Sequence, residues 1–174
     1  MDKKEKHKEI INEMIRVNQA GEFGAQKIYE GQLAVLPKDK TIKGMAKQEK
    51  IHLEEFNKLM IKNRVRPTAM SPIWAVGGFF LGASSALIGR DAAMACTLAV
   101  EEVIDKHYED QEKKLKKNVK DMELLKLVKK FRNEEIEHKN IAIENNAKNA
   151  RGYKLLSFGI RNITRAAIKI SKKI

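Results

Sequence analysis

Apolar residues recur every three or four positions along most of this chain, which is the spacing of an amphipathic α-helix. Four long segments carry the pattern and end at a proline or at a polar break: residues 3–36, 39–63, 91–117 and 121–149. Pro37 stops the first segment, and Asp39 and Asp121 are placed to cap the second and fourth. With a break at Asn118 between the last two segments, the pattern predicts an all-α protein with four long helices.

Two further segments are more apolar or more basic than the rest. Residues 72–89 contain no charged side chain and predict a short apolar helix, slightly short for a membrane span. Residues 153–174 predict a C-terminal amphipathic helix with one apolar stripe: Leu156, Ile160, Ile163, Ala167, Ile170 and Ile174. Basic residues lie away from that stripe, as expected for a helix at an anionic membrane surface. Both segments are candidate membrane contacts, and the alternative is that they pack on the bundle or on a second subunit.

Composition narrows the class of protein. The 174 residues fit one domain, 1–174. The formal charge of +12 suggests anionic lipid or nucleic acid as a partner, and the alternative is that the lysines form a solvated face. The basic segments are poor in aromatic residues, which argues against nucleic acid. A single cysteine, Cys96, excludes an internal disulfide and suits a reducing compartment. The first ten residues contain no apolar signal region, so we expect a protein that is not exported.

Two of the four histidines follow a glutamate by three residues, as Glu49-x-x-His52 and Glu135-x-x-His138. Side chains at positions i and i+3 leave the same face of a helix, so each pair can hold one metal ion. Glutamate is common in this chain, so the two pairs alone are a modest signal.

A faint internal repeat adds two more glutamates to the candidate set. Glu22 begins the run E-FGAQKI-YEGQ, and Glu101 begins E-EVIDKH-YEDQ, with a tyrosine seven residues later in each copy. Each copy precedes one Glu-x-x-His pair, and the alignment selects Glu101 over its neighbour Glu102. The tyrosines, Tyr29 and Tyr108, are expected to be core residues.

The positions of the turns test this set independently. The midpoint between Glu22 and Glu49 falls at the first break, and the midpoint between Glu101 and Glu135 falls at the second. Residues equidistant from the turn of an antiparallel helical hairpin lie at the same height. Two packed hairpins therefore bring four carboxylates and two imidazoles to one level. The alternative is that these residues are unrelated charges on the protein surface.

This arrangement has the composition of a di-iron carboxylate site, with one Glu from each of two helices and Glu-x-x-His from each of the other two. Four carboxylates offset the charge of two divalent irons in a low-dielectric core. Glu49 and Glu135 are the expected bridging ligands. The other four are expected to be terminal ligands: Glu22, His52, Glu101 and His138. Asp105 and His107 are candidates for hydrogen bonding to the ligands.

The chain resembles the demethoxyubiquinone hydroxylases, the di-iron monooxygenases of ubiquinone biosynthesis, within the ferritin-like di-iron carboxylate class. Four segments carry the resemblance over nearly the whole length: RVNQAGEFGAQKIYEGQ, QEKIHLEEF, ACTLAVEEVIDKHYEDQ and KKFRNEEIEHKNIAIENNA. The resemblance implies a ferritin-like four-helix bundle and the same six metal ligands. It also places His107 and Tyr108 beside the metal site, as candidate catalytic residues that handle the quinone or its protons.

The resemblance further implies the reaction and its setting. The expected substrate is a polyprenylated demethoxyquinone, with dioxygen as co-substrate, two irons per chain and electrons derived from NADH. The expected location is peripheral, on the cytoplasmic face of a bacterial inner membrane, either as a homo-oligomer or with other quinone-biosynthesis proteins. The alternative is a ferritin-like ferroxidase or iron-handling protein, although the apolar segment 72–89 is unsuited to the outer surface of a storage cage.

Overall fold

The computed structural model describes residues 2–119 and 121–173, and the described part of the chain contains helices and no strands. The six α-helices are α1 (Lys3–Val35), α2 (Lys40–Asn63), α3 (Ser71–Ile88), α4 (Arg90–Lys114), α5 (Met122–Glu144) and α6 (Tyr153–Ser171). A π-helical turn at Leu115–Val119 extends α4, and a short 3₁₀ turn lies at Ala147–Asn149. The predicted all-α class, with four long helices, a short apolar helix and a C-terminal helix, is confirmed.

The predicted helix starts are held by side-chain caps. Asp39 accepts a hydrogen bond from the backbone N–H of Ile42 at the start of α2, and Asp121 accepts one from Leu124 at the start of α5, both at 2.9 Å. Each cap satisfies a backbone donor that has no partner within its own helix. These caps fix the two hairpin turns, and thereby the heights of the residues on either side of them.

Two helix ends differ from the prediction. The regular α-helix of α4 ends at Lys114 rather than near residue 117, because its last carbonyls enter the π turn. Helix α5 ends at Glu144 rather than near residue 149, and Asn146 adopts a left-handed conformation with φ of 66° just beyond it. Asparagine tolerates this conformation better than most residues do. Because the sequence has no glycine or proline there, the helical pattern continues past the true end.

Helices α1, α2, α4 and α5 form a four-helix bundle of two antiparallel hairpins, α1–α2 and α4–α5. Helices α1 and α4 also run antiparallel, since Asn18 contacts Gln111 while Gln32 contacts Thr97. The bundle core is apolar above and below a central polar layer. The aromatic rings of Phe56 and Phe131 pack edge to face beside that layer.

Helix α3 lies against α1 outside the bundle and approaches it more closely than side chains normally allow. A Cβ atom added at Gly82 would overlap the carbonyl of Ile28, and one added at Gly31 would overlap the carbonyl of Phe79. Glycine is required at both positions because the two backbones touch there. This contact holds the apolar helix on the protein while most of its side chains remain outside the core.

Helix α6 packs mainly on α4, and its apolar stripe divides into two sets. Ile160 is buried and Leu156 is partly buried against the bundle, whereas Ile163 is 58 % exposed and Ile170 is 36 % exposed. Ile174 lies outside the described residues. The predicted stripe is therefore divided between the bundle and the surface, because a helix that packs on α4 turns part of its apolar surface inward.

Candidate metal centre

The six predicted ligands converge at mid-height in the bundle, and each is at most 1 % exposed. Their donor atoms form two overlapping groups, each with its atoms within 4.8 Å of one another. The first group is Glu22, Glu49, His52 and Glu135. The second group is Glu49, Glu101, Glu135 and His138. Glu49 and Glu135 belong to both groups, and the bridging role that the sequence suggests for them stays a prediction.

Both histidines turn the same nitrogen toward the shared glutamates. The Nδ1 atom of His138 lies 3.0 Å from Glu49 Oε1 and 3.1 Å from Glu135 Oε2. The Nδ1 atom of His52 lies 3.0 Å from Glu135 Oε1 and 3.5 Å from Glu22 Oε2. The arrangement gives each candidate ion one imidazole nitrogen, one terminal carboxylate and a share of two bridging carboxylates.

Unpaired donor atoms show that these residues fit metal ions. Several buried ligand atoms approach one another closely but have no hydrogen bond of suitable geometry among the described residues: Glu22 Oε2, both Glu49 oxygens, His52 Nδ1, Glu101 Oε2 and Glu135 Oε1. A buried polar atom without a partner is costly, so these atoms need a ligand of another kind. Carboxylate and imidazole donors together suit a first-row divalent ion such as iron.

The electrostatics of the layer lead to the same conclusion. Burial and the neighbouring Glu135 raise the pKa of both Glu49 and Glu101 well above the usual carboxylate range. Burial also raises the pKa of Glu135, but the adjacent His138 and His52 lower it to about 2. Burial lowers the pKa of His52, while the carboxylates of Glu135 and Glu22 raise it to about 11. Without a metal, the layer reduces its negative charge by holding protons, a role that cations can take over.

The two tyrosines of the repeat make crossed contacts with the ligands. Tyr108 donates a hydrogen bond to Glu22, and Tyr29 donates one of 3.3 Å to Glu101. Each tyrosine therefore supports the glutamate from the other copy of the repeat. Burial, followed by the nearby carboxylates, raises the pKa of both phenols, so both remain protonated donors.

A buried amide pair fixes His107, the other candidate catalytic residue. Gln111 and Asn18 exchange two hydrogen bonds of 2.7 and 2.8 Å, and the Nε2 atom of Gln111 lies 2.8 Å from Nε2 of His107. Burial, followed by Lys172 and Lys114, lowers the pKa of His107 to about 4. His107 is therefore a neutral imidazole whose Nε2 accepts from Gln111. It does not contact the cluster directly.

Asp105 does not play the role expected of it. Its two oxygens accept hydrogen bonds from Arg132 at 2.8 Å and Lys139 at 2.7 Å, and neither ligand histidine reaches it. The outward nitrogens of the histidines instead meet Glu134 and Gln48, which sequence reasoning missed. Each of these residues directly precedes the glutamate of a Glu-x-x-His pair, a position that the repeat could have drawn attention to.

A helical bundle with four glutamates and two histidines in one buried layer defines the ferritin-like carboxylate class of di-metal proteins. The family model described as ubiquinone biosynthesis protein COQ7 matches residues 9–171. This chain therefore belongs to that family.

Relatives from distant organisms share most of the chain. A Dictyostelium discoideum protein named mitochondrial NADPH-dependent 3-demethoxyubiquinone 3-hydroxylase is 49 % identical, over 100 % of this chain and 82 % of its own length. The Homo sapiens protein of the same name is 47 % identical, over 94 % and 78 %. The 3-demethoxyubiquinol 3-hydroxylase of Rhodospirillum rubrum is 43 % identical, over 95 % and 79 %. These bacterial and mitochondrial relatives are named as members of the same hydroxylase family that the sequence motifs resemble.

The neighbouring residues Glu101 and Glu102 provide a test of the metal assignment. Glu101 lies in the buried layer, whereas Glu102 accepts a hydrogen bond of 2.8 Å from Arg161 on α6. We expect Glu101→Ala to lower the iron content of anaerobically reconstituted protein from two ions per chain toward one. Glu102→Ala should retain both. Equal losses in the two variants, measured by metal analysis, would refute the assignment of Glu101.

Proposed function

We propose that this chain is a di-iron monooxygenase that hydroxylates a polyprenylated demethoxyquinone in ubiquinone biosynthesis. The observation that carries the proposal is an apolar cavity of about 460 Å³ that reaches the metal layer at Glu22. The names of these relatives, all demethoxyubiquinone or demethoxyubiquinol hydroxylases, support the same reaction.

The six candidate ligands would hold two irons, one between Glu22 and His52 and the other between Glu101 and His138. Glu49 and Glu135 would bridge them. When bound, the irons supply the activation of dioxygen that the side chains of the protein cannot provide. The chain itself holds the ions in a fixed geometry and excludes water from the layer.

The cavity lies between α1, α3, α4 and α6, with apolar side chains from all four helices in its wall. Its volume is within the roughly 300–1,000 Å³ range of small-molecule sites, enough for a substituted ring and the start of a tail. A longer isoprenoid tail would have to leave between α3 and α6. Trp74 of α3 donates a hydrogen bond of 3.0 Å to Ser171 of α6 and joins the two sides of the cavity.

The cavity breaks the internal symmetry of the bundle. Glu22, Tyr108, Asn18 and His107 all line it, whereas Glu101 and Tyr29, the counterparts of Glu22 and Tyr108, are buried in the core and do not line it. We infer that the quinone ring approaches the layer beside Glu22. Tyr108 and His107 are then the residues available to orient the ring, and the Tyr108 hydroxyl, which is hydrogen-bonded to Glu22, is the group placed to exchange a proton with it.

The electrons are proposed to come from a reduced nicotinamide. The sequence resemblance specifies NADH, whereas the mitochondrial relatives are named for NADPH. NADH and NADPH are both reduced nicotinamides, and NADH remains the prediction for this chain.

Apolar surface on α3 and α6 supports a peripheral membrane location. By length and composition, α3 is the one candidate span in the described part of the chain, with 17 % of it buried. Large apolar side chains stand outward on both helices, including Phe80, Leu87, Leu155 and Phe158, each more than 60 % exposed. We propose contact with the cytoplasmic face of a bacterial inner membrane, where the substrate tail would reside. Assembly as a homo-oligomer or with other quinone-biosynthesis proteins stays a prediction.

The reaction can be tested by product analysis. Iron-loaded protein, isotopic dioxygen, a reductant and a demethoxyquinone should yield a hydroxylated quinone that carries one labelled oxygen atom, detected by mass spectrometry. Without quinone, the consumption of reductant should be slow. Fast iron oxidation and mineral growth with no hydroxylated quinone would instead favour the ferroxidase alternative.

The two tyrosines form a matched pair for testing which side the substrate uses. Tyr108 lines the cavity and Tyr29 does not, although both are buried and both bond a ligand glutamate. If Tyr108 moves a proton, Tyr108→Phe should lower quinone hydroxylation by about 100-fold, a typical size for acid–base assistance. Tyr29→Phe should have a much smaller effect.

Iron content and melting temperature are the controls for this pair. Similar values in the two variants would show that both retain the metal layer. Equal loss of hydroxylation under those conditions would contradict an approach on the Glu22 side.

Membrane contact can be tested with single polar replacements on matched exposed sites. Phe80→Ser and Leu155→Ser should each weaken binding to anionic vesicles by about tenfold, because burying a large apolar side chain contributes roughly 1.5–3 kcal/mol. The controls are Ile61→Ser and Met122→Ser, at side chains 80 % and 71 % exposed on α2 and α5. Binding is measured by vesicle sedimentation. Equal binding by all four variants would argue against α3 and α6 as the membrane contact.

A further inference from the structure

We propose that the two metal positions differ in affinity, because the histidine of one is supported by a carboxylate and the histidine of the other by a neutral amide. The inference rests on the proposed di-iron function. It assigns positioning roles to Glu134 and Gln48, and it makes the position held by Glu22 and His52 the tighter one.

The supporting contacts are direct. Nε2 of His52 lies 2.7 Å from Oε2 of Glu134, and Nε2 of His138 lies 3.1 Å from Oε1 of Gln48. Both acceptors meet the nitrogen that faces away from the cluster. An acceptor at Nε2 places the proton there and leaves the lone pair of Nδ1 free for a metal ion. Each contact therefore selects the ligand tautomer.

The two supports occupy equivalent places in the two hairpins, each directly before a Glu-x-x-His pair, and each contacts the histidine of the other hairpin. Gln48 precedes Glu49 and bonds His138, whereas Glu134 precedes Glu135 and bonds His52. The backbone geometry is thus matched, and the main chemical difference is carboxylate against amide. This difference makes the two metal positions chemically distinct, although both use the same types of ligand.

A carboxylate partner strengthens an imidazole ligand more than an amide partner does. The negative charge stabilises the Nε2 proton and makes Nδ1 a better electron donor to the ion. The side chain of Lys130 is 59 % exposed, and its Nζ atom lies 3.9 Å from Oε1 of Glu134. This oxygen is not the one that contacts His52. Because solvent screens the exposed Lys130 ammonium, it offsets little of the effect of the Glu134 carboxylate on His52.

The ring of His52 is also held more firmly than a single hydrogen bond would require. It stacks on Phe131 with a centroid distance of 4.0 Å and an interplanar angle of 29°. The stack and the Glu134 contact fix its orientation from two directions. A ligand fixed in advance loses less entropy when the ion binds, which adds to the affinity of this position.

Calorimetric titration of the metal-free full chain with Co²⁺, a redox-stable probe, tests the proposal. The wild type should bind two ions in two resolved steps, with the first step absent in His52→Ala and the second absent in His138→Ala. Glu134→Gln keeps the shape and removes the charge. It should weaken the first step by about 10- to 100-fold, the usual effect of losing such a partner. Gln48→Glu should strengthen the second step.

The control is Glu137→Gln, which removes an exposed charge from the same helix and should leave both steps unchanged. Circular dichroism and the melting temperature of the metal-free variants establish that they fold. Two ions bound with affinities unaffected by Glu134→Gln would overturn this inference and leave the di-iron proposal standing. A folded wild type that binds no ion would overturn the di-iron proposal itself.

Discussion

The structure depends on one electrostatic constraint, the burial of four carboxylates within a single layer of an apolar bundle. Burial and mutual repulsion raise the pKa of Glu49 and Glu101, while His52 and His138 compensate Glu135. Such a layer gains little by itself, because desolvating charged groups costs more than their contacts with one another return. Divalent cations change that balance, since they supply the positive charge that the unpaired oxygens lack. The apolar core above and below the layer keeps water from competing for those atoms.

A pseudo-twofold relation between the hairpins meets this constraint with few residue types. Tyrosine from one copy of the repeat bonds the glutamate of the other, and the residue before each Glu-x-x-His supports the opposite histidine. Because every support crosses between hairpins, neither hairpin can complete its half of the layer alone. The assembly of the polar layer is thus coupled to the packing of the whole bundle. A small loss of register between the hairpins would disrupt both metal positions together.

Sequence reasoning placed the six candidate ligands in one layer because the signals it used are local. Glu-x-x-His spacing, the repeat and the midpoints of the hairpin turns all follow from helix geometry and need no tertiary information. It missed Glu134 and Gln48 because their partners lie on other helices, and it proposed Asp105, whose actual partners are Arg132 and Lys139. The division of the α6 stripe was also beyond a periodicity argument, because both sets of residues are equally apolar. Only the packing of α6 on α4 decides which of them are covered.

On the proposed function, substrate reaches the metal layer from the Glu22 side, so the two halves of the bundle must differ. The glycines of α1 and α3 are one cause of that difference. Backbone contact at Gly31 and Gly82 holds α3 against one side of the bundle, and a cavity opens between α3 and α6 on that side. The cavity meets the layer at Glu22, in the half that also contains His52 and its carboxylate partner Glu134. The cavity proposed for the substrate and the carboxylate-supported histidine therefore lie in the same half of the site. On the proposed function, the better-anchored ion is the one nearest the quinone, which leaves the more weakly supported ion on the sealed side.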